Sequence, residues 1–348
     1  MSGLPDTCRA IYARILYPMN DVVNSQVAHS VLHPDWIAEE AARRYPLIGK
    51  VDAYLLYRGM NDVYLIRDRD SRYAMRVWRK SWRDVDIVKV ELEFLDYLRQ
   101  RNFPASTPLR TRNGELYFKV DSPEGARAVA MYTWAPGRKF GEALDKRTAE
   151  RIGALFAELH LLGLEYLGEK QPSTDDVVNF MVNLPPLLDF LHDRPEDARF
   201  YERLAPLLVE RLERAALEPI PLGLCHRDFH PSNVHVDDKG RITLLDFDAT
   251  GHDFLMQDVK NFTFGNLFYD FPPAYGEAFE RGYASVRPFT AAELEHAELF
   301  LLAKAFRLVA GMAHASSAVG RGTLRFRNLD WFGAYIRDRA RNVGLKGT

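Results

Sequence analysis

Between residues 53 and 134 short runs of β-type residues alternate with polar, turn-rich clusters. Ala53 to Tyr57, Val63 to Arg67, Tyr73 to Trp78, Leu116 to Val120 and Ala128 to Trp134 are rich in Val, Tyr and Leu. Clusters such as Asp68-Arg69-Asp70-Ser71 and Arg112-Asn113-Gly114 separate them, so the pattern predicts a small sheet. One helical segment, about Val85 to Arg101, interrupts it. After Pro136-Gly137 the period changes. Ile152, Leu155, Phe156 and Leu159 recur at helical spacing, as do Leu299, Leu302, Ala303 and Phe306. The exception is a hairpin, Val234 to Val236 and Ile242 to Leu245, joined by Asp237-Asp238-Lys239-Gly240. A helix over Pro34 to Arg44 precedes the first strand, with Asp35 in its first turn and Arg43 and Arg44 in its last, matching the helix dipole. The expected architecture is α+β and bilobal. Residues 1–136 form an N-terminal extension and a small β-rich lobe, and residues 137–348 form a larger, mostly helical lobe. Pro136-Gly137 is the hinge.

Composition narrows the function classes. A chain of 348 residues can bury a large core and is past the size at which single cores usually divide. With 46 basic against 48 acidic side chains the formal charge is −2, which supplies no overall field for nucleic acid or an anionic membrane surface. Local basic groups, Arg321, Arg325 and Arg327 or Arg337, Arg339 and Arg341, have aromatics or acids beside them and read as solvated helical faces. Cys8 and Cys225 are too few and too distant for a disulfide framework or a zinc site. Asp6 and Arg9 flank a short apolar stretch that lacks the layout of a signal peptide. The apolar segment Leu299 to Ala315 contains Lys304 and Arg307, which makes it costly in a bilayer. A cytoplasmic protein without nucleic-acid or membrane partners is expected.

The densest chemical signal is His226-Arg227-Asp228-Phe229-His230-Pro231-Ser232-Asn233, followed thirteen residues later by Asp246-Phe247-Asp248. This is the H-R-D-x-x-x-x-N and D-F-x spacing of kinase catalytic loops. Phosphoryl transfer needs a metal ion to neutralise phosphate charge, and Mg²⁺ prefers hard oxygen ligands. A carboxylate at a hairpin end, Asp246, and an amide oxygen, Asn233, can converge on one ion from two segments. A second carboxylate, Asp228, must stand clear of the metal to accept a hydroxyl proton. Either aspartate alone would more often be a turn cap; the full spacing makes coincidence improbable.

The N-terminal half should then supply a cation for the phosphates. Arg76 lies inside the strand Tyr73-Ala74-Met75-Arg76-Val77-Trp78, and Glu91 falls on the apolar face of the following helix with Ile87, Phe94, Leu95 and Leu98. A carboxylate in an apolar stripe needs a partner, and Arg76 is the natural one; the alternative puts Glu91 on a solvated edge with Lys89 and Glu93. No G-x-G-x-x-G occurs, but Gly59 and Asn61 stand between two strands where a phosphate-covering turn would lie, and both tolerate such a turn.

With these residues assembled, the chain resembles the aminoglycoside phosphotransferase superfamily, whose members have a protein-kinase-like fold. The resemblance runs from about Tyr54 to about Asp270. It rests on the H-x-D-x-H-x-x-N loop His226 to Asn233, on Leu245 to Asp258, and on Ala157-Glu158-Leu159-His160. It implies ATP and Mg²⁺ as cofactors, Asp228 as base, and Asn233 and Asp246 as metal ligands, with Asp248 as a further metal or structural residue. Arg76 would contact phosphates and Glu91 would orient it. Met131 to Trp134, Thr133 included, would face adenine through backbone groups. His226 and Asp258 would brace the loop, and His160 would be a core histidine.

Departures from protein kinases narrow the acceptor. His230 stands where a lysine is usual beside the catalytic aspartate, Arg76 replaces a lysine, and only eleven residues separate Asp246 from Asp258. That spacing leaves no room for an activation segment. The leading expectation is an ATP-dependent kinase for a small-molecule hydroxyl: an amino alcohol, amino acid, sugar or aminoglycoside. Its acceptor cleft would be lined by some of Phe262, Phe264, Phe268, Tyr269, Asp270, Trp331 and Tyr335, although core packing should claim most of these. The tract after Asp258 carries Asp270, Glu277 and Glu280 but no dense acidic run, which leans away from polycationic antibiotics. The alternatives are a stress-type Ser/Thr protein kinase of the same superfamily, suggested by His33-Pro34-Asp35 and Asp-x-Asp, and a nucleotide-binding pseudokinase, which the presence of Asp228, Asn233 and Asp246 disfavours.

Overall fold

His33 starts the first helix: its Nδ1 accepts the Asp35 N–H at 3.3 Å, and Pro34 takes the first turn, where a missing N–H costs nothing. The computed structural model describes residues 27–80, 85–142, 145–168, 176–319 and 327–345. Asp6, Cys8, Arg9, Arg321 and Arg325 lie outside them. Helix α1 (Pro34–Arg44) lays Ile37, Ala38 and Ala41 on one face of an antiparallel sheet. The sheet has the order β1-β2-β3-β5-β4, with β1 Asp52–Arg58, β2 Asn61–Arg67, β3 Arg72–Trp78, β4 Phe118–Val120 and β5 Arg127–Thr133. Helix α2 (Val85–Gln100) covers the other face. The pleat sorts the strand residues between the two. Val129 and Met131 pack with Ile37, Tyr45, Tyr64 and Met75, whereas Ala128, Ala130 and Tyr132 pack with Leu92 and Leu95. The α2-side core runs without a break into the helical lobe.

The segment before α1 is tied to this sheet by buried charge. Arg127 is fully buried; it donates to Asp62 Oδ2 at 2.8 Å, to the Trp78 carbonyl at 2.8 Å and to the Ser30 carbonyl at 2.7 Å. His29 Nε2 reaches the other oxygen of Asp62 at 3.1 Å.

Pro136-Gly137 leads from the sheet to the helices. Gly137 has φ +92°, and a Cβ there would lie 2.2 Å from the Val236 carbonyl oxygen, so only glycine makes this crossing. Beyond it come β6 (Arg138–Lys139), α3 (Lys146–Glu165), α4 (Asp176–Phe190), α5 (Pro195–Ala215), β7 (Leu222–Cys225), β8 (Val234–Val236), β9 (Ile242–Leu244) and β10 (Gly251–Phe254). The chain then continues through α6 (Leu255–Phe268), α7 (Pro273–Val286), α8 (Ala291–Glu295), α9 (Ala297–Val319) and α10 (Leu329–Asn342).

The expected hairpin is β8–β9, but the helical lobe holds more strand than its sequence predicts. β6 adds to β8, and β7 pairs with β10 in the register Cys225↔Gly251. Strands of two to four residues are too short to show an alternation, and their partners lie far away in sequence. Of the α10 arginines, Arg341 is solvated as expected, at 73% exposure, but Arg337 and Arg339 are not. Arg337 binds Asp197 at 2.6 Å and lies over the Phe200 ring, and Arg339 binds Glu298 at 2.6 Å. They pin α10 to α5 and α9. By length and composition α9 could cross a membrane over Ala297–Ser316, yet 67% of it is buried among the other helices.

Candidate active site

The Asp228 loop is held from beneath by one carboxylate. Asp258, in the first turn of α6, is fully buried and accepts the His226 N–H at 2.6 Å, the Arg227 N–H at 2.8 Å, His160 Nε2 at 3.2 Å and Asn261 Nδ2 at 3.1 Å. Burial alone would raise its carboxyl, but these donors outweigh it and hold it below the usual aspartate range. The two backbone bonds fix Arg227 at φ 65°, a left-handed conformation that costs a non-glycine residue about 1–3 kcal/mol and is sustained by its surroundings. His226 donates from Nε2 to the Leu245 carbonyl at 2.8 Å, and its Nδ1 accepts the Asp228 N–H at 3.4 Å. His160, Cys225 and Asp258 approach as a metal site would, but the aspartate oxygens are already taken and burial pushes the Cys225 thiol up. These residues brace the loop.

Above this brace Asp228 and Asn233 come together. Asn233 Nδ2 donates to the Asp228 carbonyl at 2.9 Å, which commits the amide nitrogen and leaves Oδ1 as the end able to meet a cation. The Leu245 N–H bonds the Asn233 carbonyl at 2.9 Å, so the next residue, Asp246, emerges beside Asn233. Asp246 has φ 63° and a side chain 44% exposed. An amide oxygen and a half-exposed carboxylate brought side by side here suit a hard divalent cation. The Asp228 side chain is 41% exposed, with Lys304 Nζ 2.9 Å from Oδ1 and His230 Nε2 3.7 Å from Oδ2. Partial desolvation would raise its carboxyl, but Lys304 and then His230 hold it far below the ordinary value, so Asp228 is ionised at any working pH.

The sheet contributes the opposite wall. Arg76 reaches Asp246 Oδ1 at 2.6 Å and Glu91 Oε1 at 3.4 Å. Glu91 is only 4% exposed and accepts the Tyr132 hydroxyl at 3.1 Å, so its partner is Arg76 rather than solvent. Burial, opposed by Arg76 and reinforced by Asp248 and Asp246, raises the Glu91 carboxyl to about 7. Burial alone would lower the Arg76 guanidinium; Asp246, Tyr132 and Glu91 keep it above its usual value.

Gly59 lies in the β1–β2 turn and Asn61 opens β2 directly after it. The Tyr57 ring lies over Gly59, where a Cβ would come within 2.4 Å of it. Arg79 donates to the Gly59 carbonyl at 2.9 Å, and Asn61 Nδ2 donates to Asp248 Oδ2 at 3.1 Å. Asp248 therefore ties the turn to the Asp246 loop across the cleft.

The expected adenine linker is only partly at the cleft. Met131 faces α1, on the other side of the sheet from Tyr132. Its N–H points to the Tyr45 hydroxyl at 3.3 Å, and its carbonyl accepts from Leu109 at 2.7 Å. Thr133 is occupied by Thr107 through both its N–H and its hydroxyl, and by Ser106 through its carbonyl. The Met131 side chain thus faces away from Arg76 and Glu91, and the backbone groups of both residues already have partners. Of the expected aromatic wall, Phe262, Phe264 and Phe268 are core. Trp331 and Tyr335 stack at 5.3 Å with partial exposure, Tyr269 lies 5.5 Å from the His230 ring, and Asp270 is bound by Arg327. Two residues escaped sequence reasoning: Tyr132, read as part of the linker, and Lys304, read as a break in an apolar helix.

Residues 59–297 match the model of the phosphotransferase enzyme family, APH. The amicoumacin kinase of Bacillus subtilis (strain 168) is 26% identical over 249 residues, covering 70% of this chain and 71% of that protein. A solved amicoumacin kinase in complex with AMP-PNP and Ca²⁺ superposes with TM-score 0.69 at 19% identity, covering 91% of this chain and 94% of that one. A microcompartment-associated aminopropanol kinase superposes at 0.65 with 21% identity, covering 90% and 100%. These two share the fold, sheet lobe and helical lobe alike. With the family's loop intact from His226 to Asn233 and more than half of the sequence matched, the chain belongs to the phosphotransferase enzyme family.

Proposed function

We propose that the protein transfers the γ-phosphoryl group of ATP to a hydroxyl of a small molecule. The observation that carries this reading is the convergence of Asp228, Asn233, Asp246 and Arg76 on one cleft from three chain segments. Asn233 Oδ1 and Asp246 would hold Mg²⁺, with Asp248 beside them. That ion, when bound, neutralises charge on the phosphate oxygens. Arg76 would grip the phosphates with its planar fork, Glu91 and Tyr132 would fix its direction, and the Gly59–Asn61 turn would lie over them. Asp228 aligns the acceptor hydroxyl and takes its proton as the new bond forms. Adenine contacts would fall to the linker from Trp134 onward, because Met131 and Thr133 are engaged elsewhere.

The size of the acceptor is argued from the chain between Asp246 and Asp258. Those eleven residues are spent on a turn, on β10 and on the start of α6, so nothing there forms a platform for a peptide. The names of the relatives, amicoumacin and aminopropanol kinases, support the same class. At the cleft mouth Asp228 and Asp270 are each matched by a cation, Lys304 and Arg327. A polycationic aminoglycoside would have to displace both pairs, so the reading favours acceptors of low positive charge.

The test is γ-labelled ATP with purified protein and a cell extract split by size, with Asp228→Asn as control. Label entering the metabolite fraction with the wild type alone is the expected result. Label entering proteins would overturn the small-molecule acceptor in favour of a protein kinase.

Glu91 adds a second check. Its carboxyl near 7 is raised partly by Asp246 and Asp248, so a divalent cation on those residues lowers it and expels a proton. Calorimetry of Mg²⁺–ADP binding at pH 7 in buffers of different ionisation heat should register a net release of protons. Glu91→Gln should show none, and equal release in both would remove Glu91 from this role.

A further inference from the structure

Lys304 is a charged side chain set in the least polar part of the molecule. Leu299 to Phe306 is buried without interruption along α9, and Lys304 itself is only 9% exposed. Taking an ammonium out of water is costly unless something requires it there. Asp228 cannot be the reason for that cost on stability grounds, because it is 41% exposed and would stay hydrated without the lysine. The lysine also lies beyond residue 297, outside the part of the chain that matches the family.

Its position relative to the chemistry is specific. Nζ is 2.9 Å from Asp228 Oδ1. On the reading above, an acceptor hydroxyl must bond the same carboxylate, at about 2.6–3.2 Å. The acceptor oxygen and the ammonium are then neighbours on one carboxylate, and the phosphorus forms its new bond beside both. An ammonium has three donors. One is given to Asp228, and among the described residues no other acceptor takes the remaining two. The flexible four-carbon stem lets Nζ keep Asp228 while turning a second donor into the cleft. The catalytic loop does not supply this charge itself: His230 is 3.7 Å from the other carboxylate oxygen, and Arg227 is drawn away to Asp253 at 3.1 Å.

We propose that Lys304 is a further catalytic residue, whose ammonium meets the oxygens of the phosphoryl group while it passes to the acceptor and keeps Asp228 in line. This rests on the kinase reading. In the step, the P–O bond to ADP breaks and its electron pair leaves with ADP. A lone pair of the acceptor oxygen forms the new P–O bond, and the hydroxyl proton goes to Asp228. Lys304 is unchanged at the end; it stabilises charge spread over the equatorial oxygens.

The experiment avoids the unidentified acceptor. The probe is Mg²⁺–ADP with and without aluminium fluoride, which stands in for the phosphoryl group in flight, measured by calorimetry. The wild type should bind ADP at least about tenfold more tightly with aluminium fluoride, as expected for a transition-state mimic. Lys304→Met should lose that gain while binding Mg²⁺–ADP alone within about twofold of wild type; Lys304→Arg should keep most of it. Lys304→Gln replaces the methionine variant if that one does not fold. Equal tightening in the neutral variants, no tightening in the wild type, or loss of Mg²⁺–ADP binding by the same factor would each overturn the proposal. Failure of wild type to bind Mg²⁺–ADP at all would overturn the kinase reading instead.

Discussion

Asp228→Asn should lower turnover by about 10²–10⁴-fold, the range supplied by a positioned general base, and leave Mg²⁺–ATP affinity unchanged. The separation follows from the geometry. Asp228 touches Lys304 and His230 through its side chain but meets Asn233 only through its carbonyl, which the substitution preserves. An amide cannot take the hydroxyl proton, while Asn233, Asp246 and Arg76 keep their places. The fold should weaken somewhat, because the buried Lys304 ammonium keeps only a neutral amide as partner, although the 41% exposure of Asp228 holds the loss below the about 3–5 kcal/mol of breaking a fully buried pair. The measurement is single-turnover transfer beside nucleotide titration. Unchanged turnover would remove Asp228 as base, and lost nucleotide affinity would place it among the metal ligands.

Asp258→Ala should act in the opposite sense, on the fold first. Four donors converge on this carboxylate, two of them backbone N–H groups of the catalytic loop. Removing it leaves buried donors without partners and frees Arg227 from its left-handed conformation. Breaking a buried charge network by deleting one member costs about 3–5 kcal/mol. Denaturant unfolding checks this, and a loss below about 1 kcal/mol would show that water replaces the carboxylate. The pH dependence has a definite sign. The Asp258 carboxyl lies below its unfolded value, so its contribution is complete above about pH 4 and is lost as pH falls through the folded value. The alanine variant should lose that part of the acid sensitivity.

The two substitutions also separate what was legible in the sequence. Asp228, Asn233 and Asp246 declared themselves through spacing, because a loop and a hairpin constrain one another over a short stretch of chain. Glu91 was legible through its misfit, a carboxylate on an apolar helix face that demanded a cation, and the structure pairs it with Arg76 at 3.4 Å. The same argument applies to Lys304, a cation in an apolar run. It went unused because the partner lies 76 residues away on a loop, and no periodicity connects a helix to a distant loop. The surroundings of Met131 and Thr133 were hidden for another reason. Which face a strand residue presents depends on what packs against each side, and α1, which claims Met131, is remote in sequence. The short pairing of β7 with β10 was hidden likewise, since four residues carry no period.

The stretch that declares kinship, residues 59–297, is not a unit that could be excised. Upstream of it, Ser30 and His29 hold Arg127 and Asp62, which lie in the sheet beside the β1–β2 turn. Downstream, α9 brings its apolar run through the middle of the helical lobe, and α10 is fastened outside it. Expression trimmed to the matched boundaries would strand a guanidinium and a carboxylate without their covers and open the helical core to water. Here the packed folding block is larger than the family signature that the sequence carries.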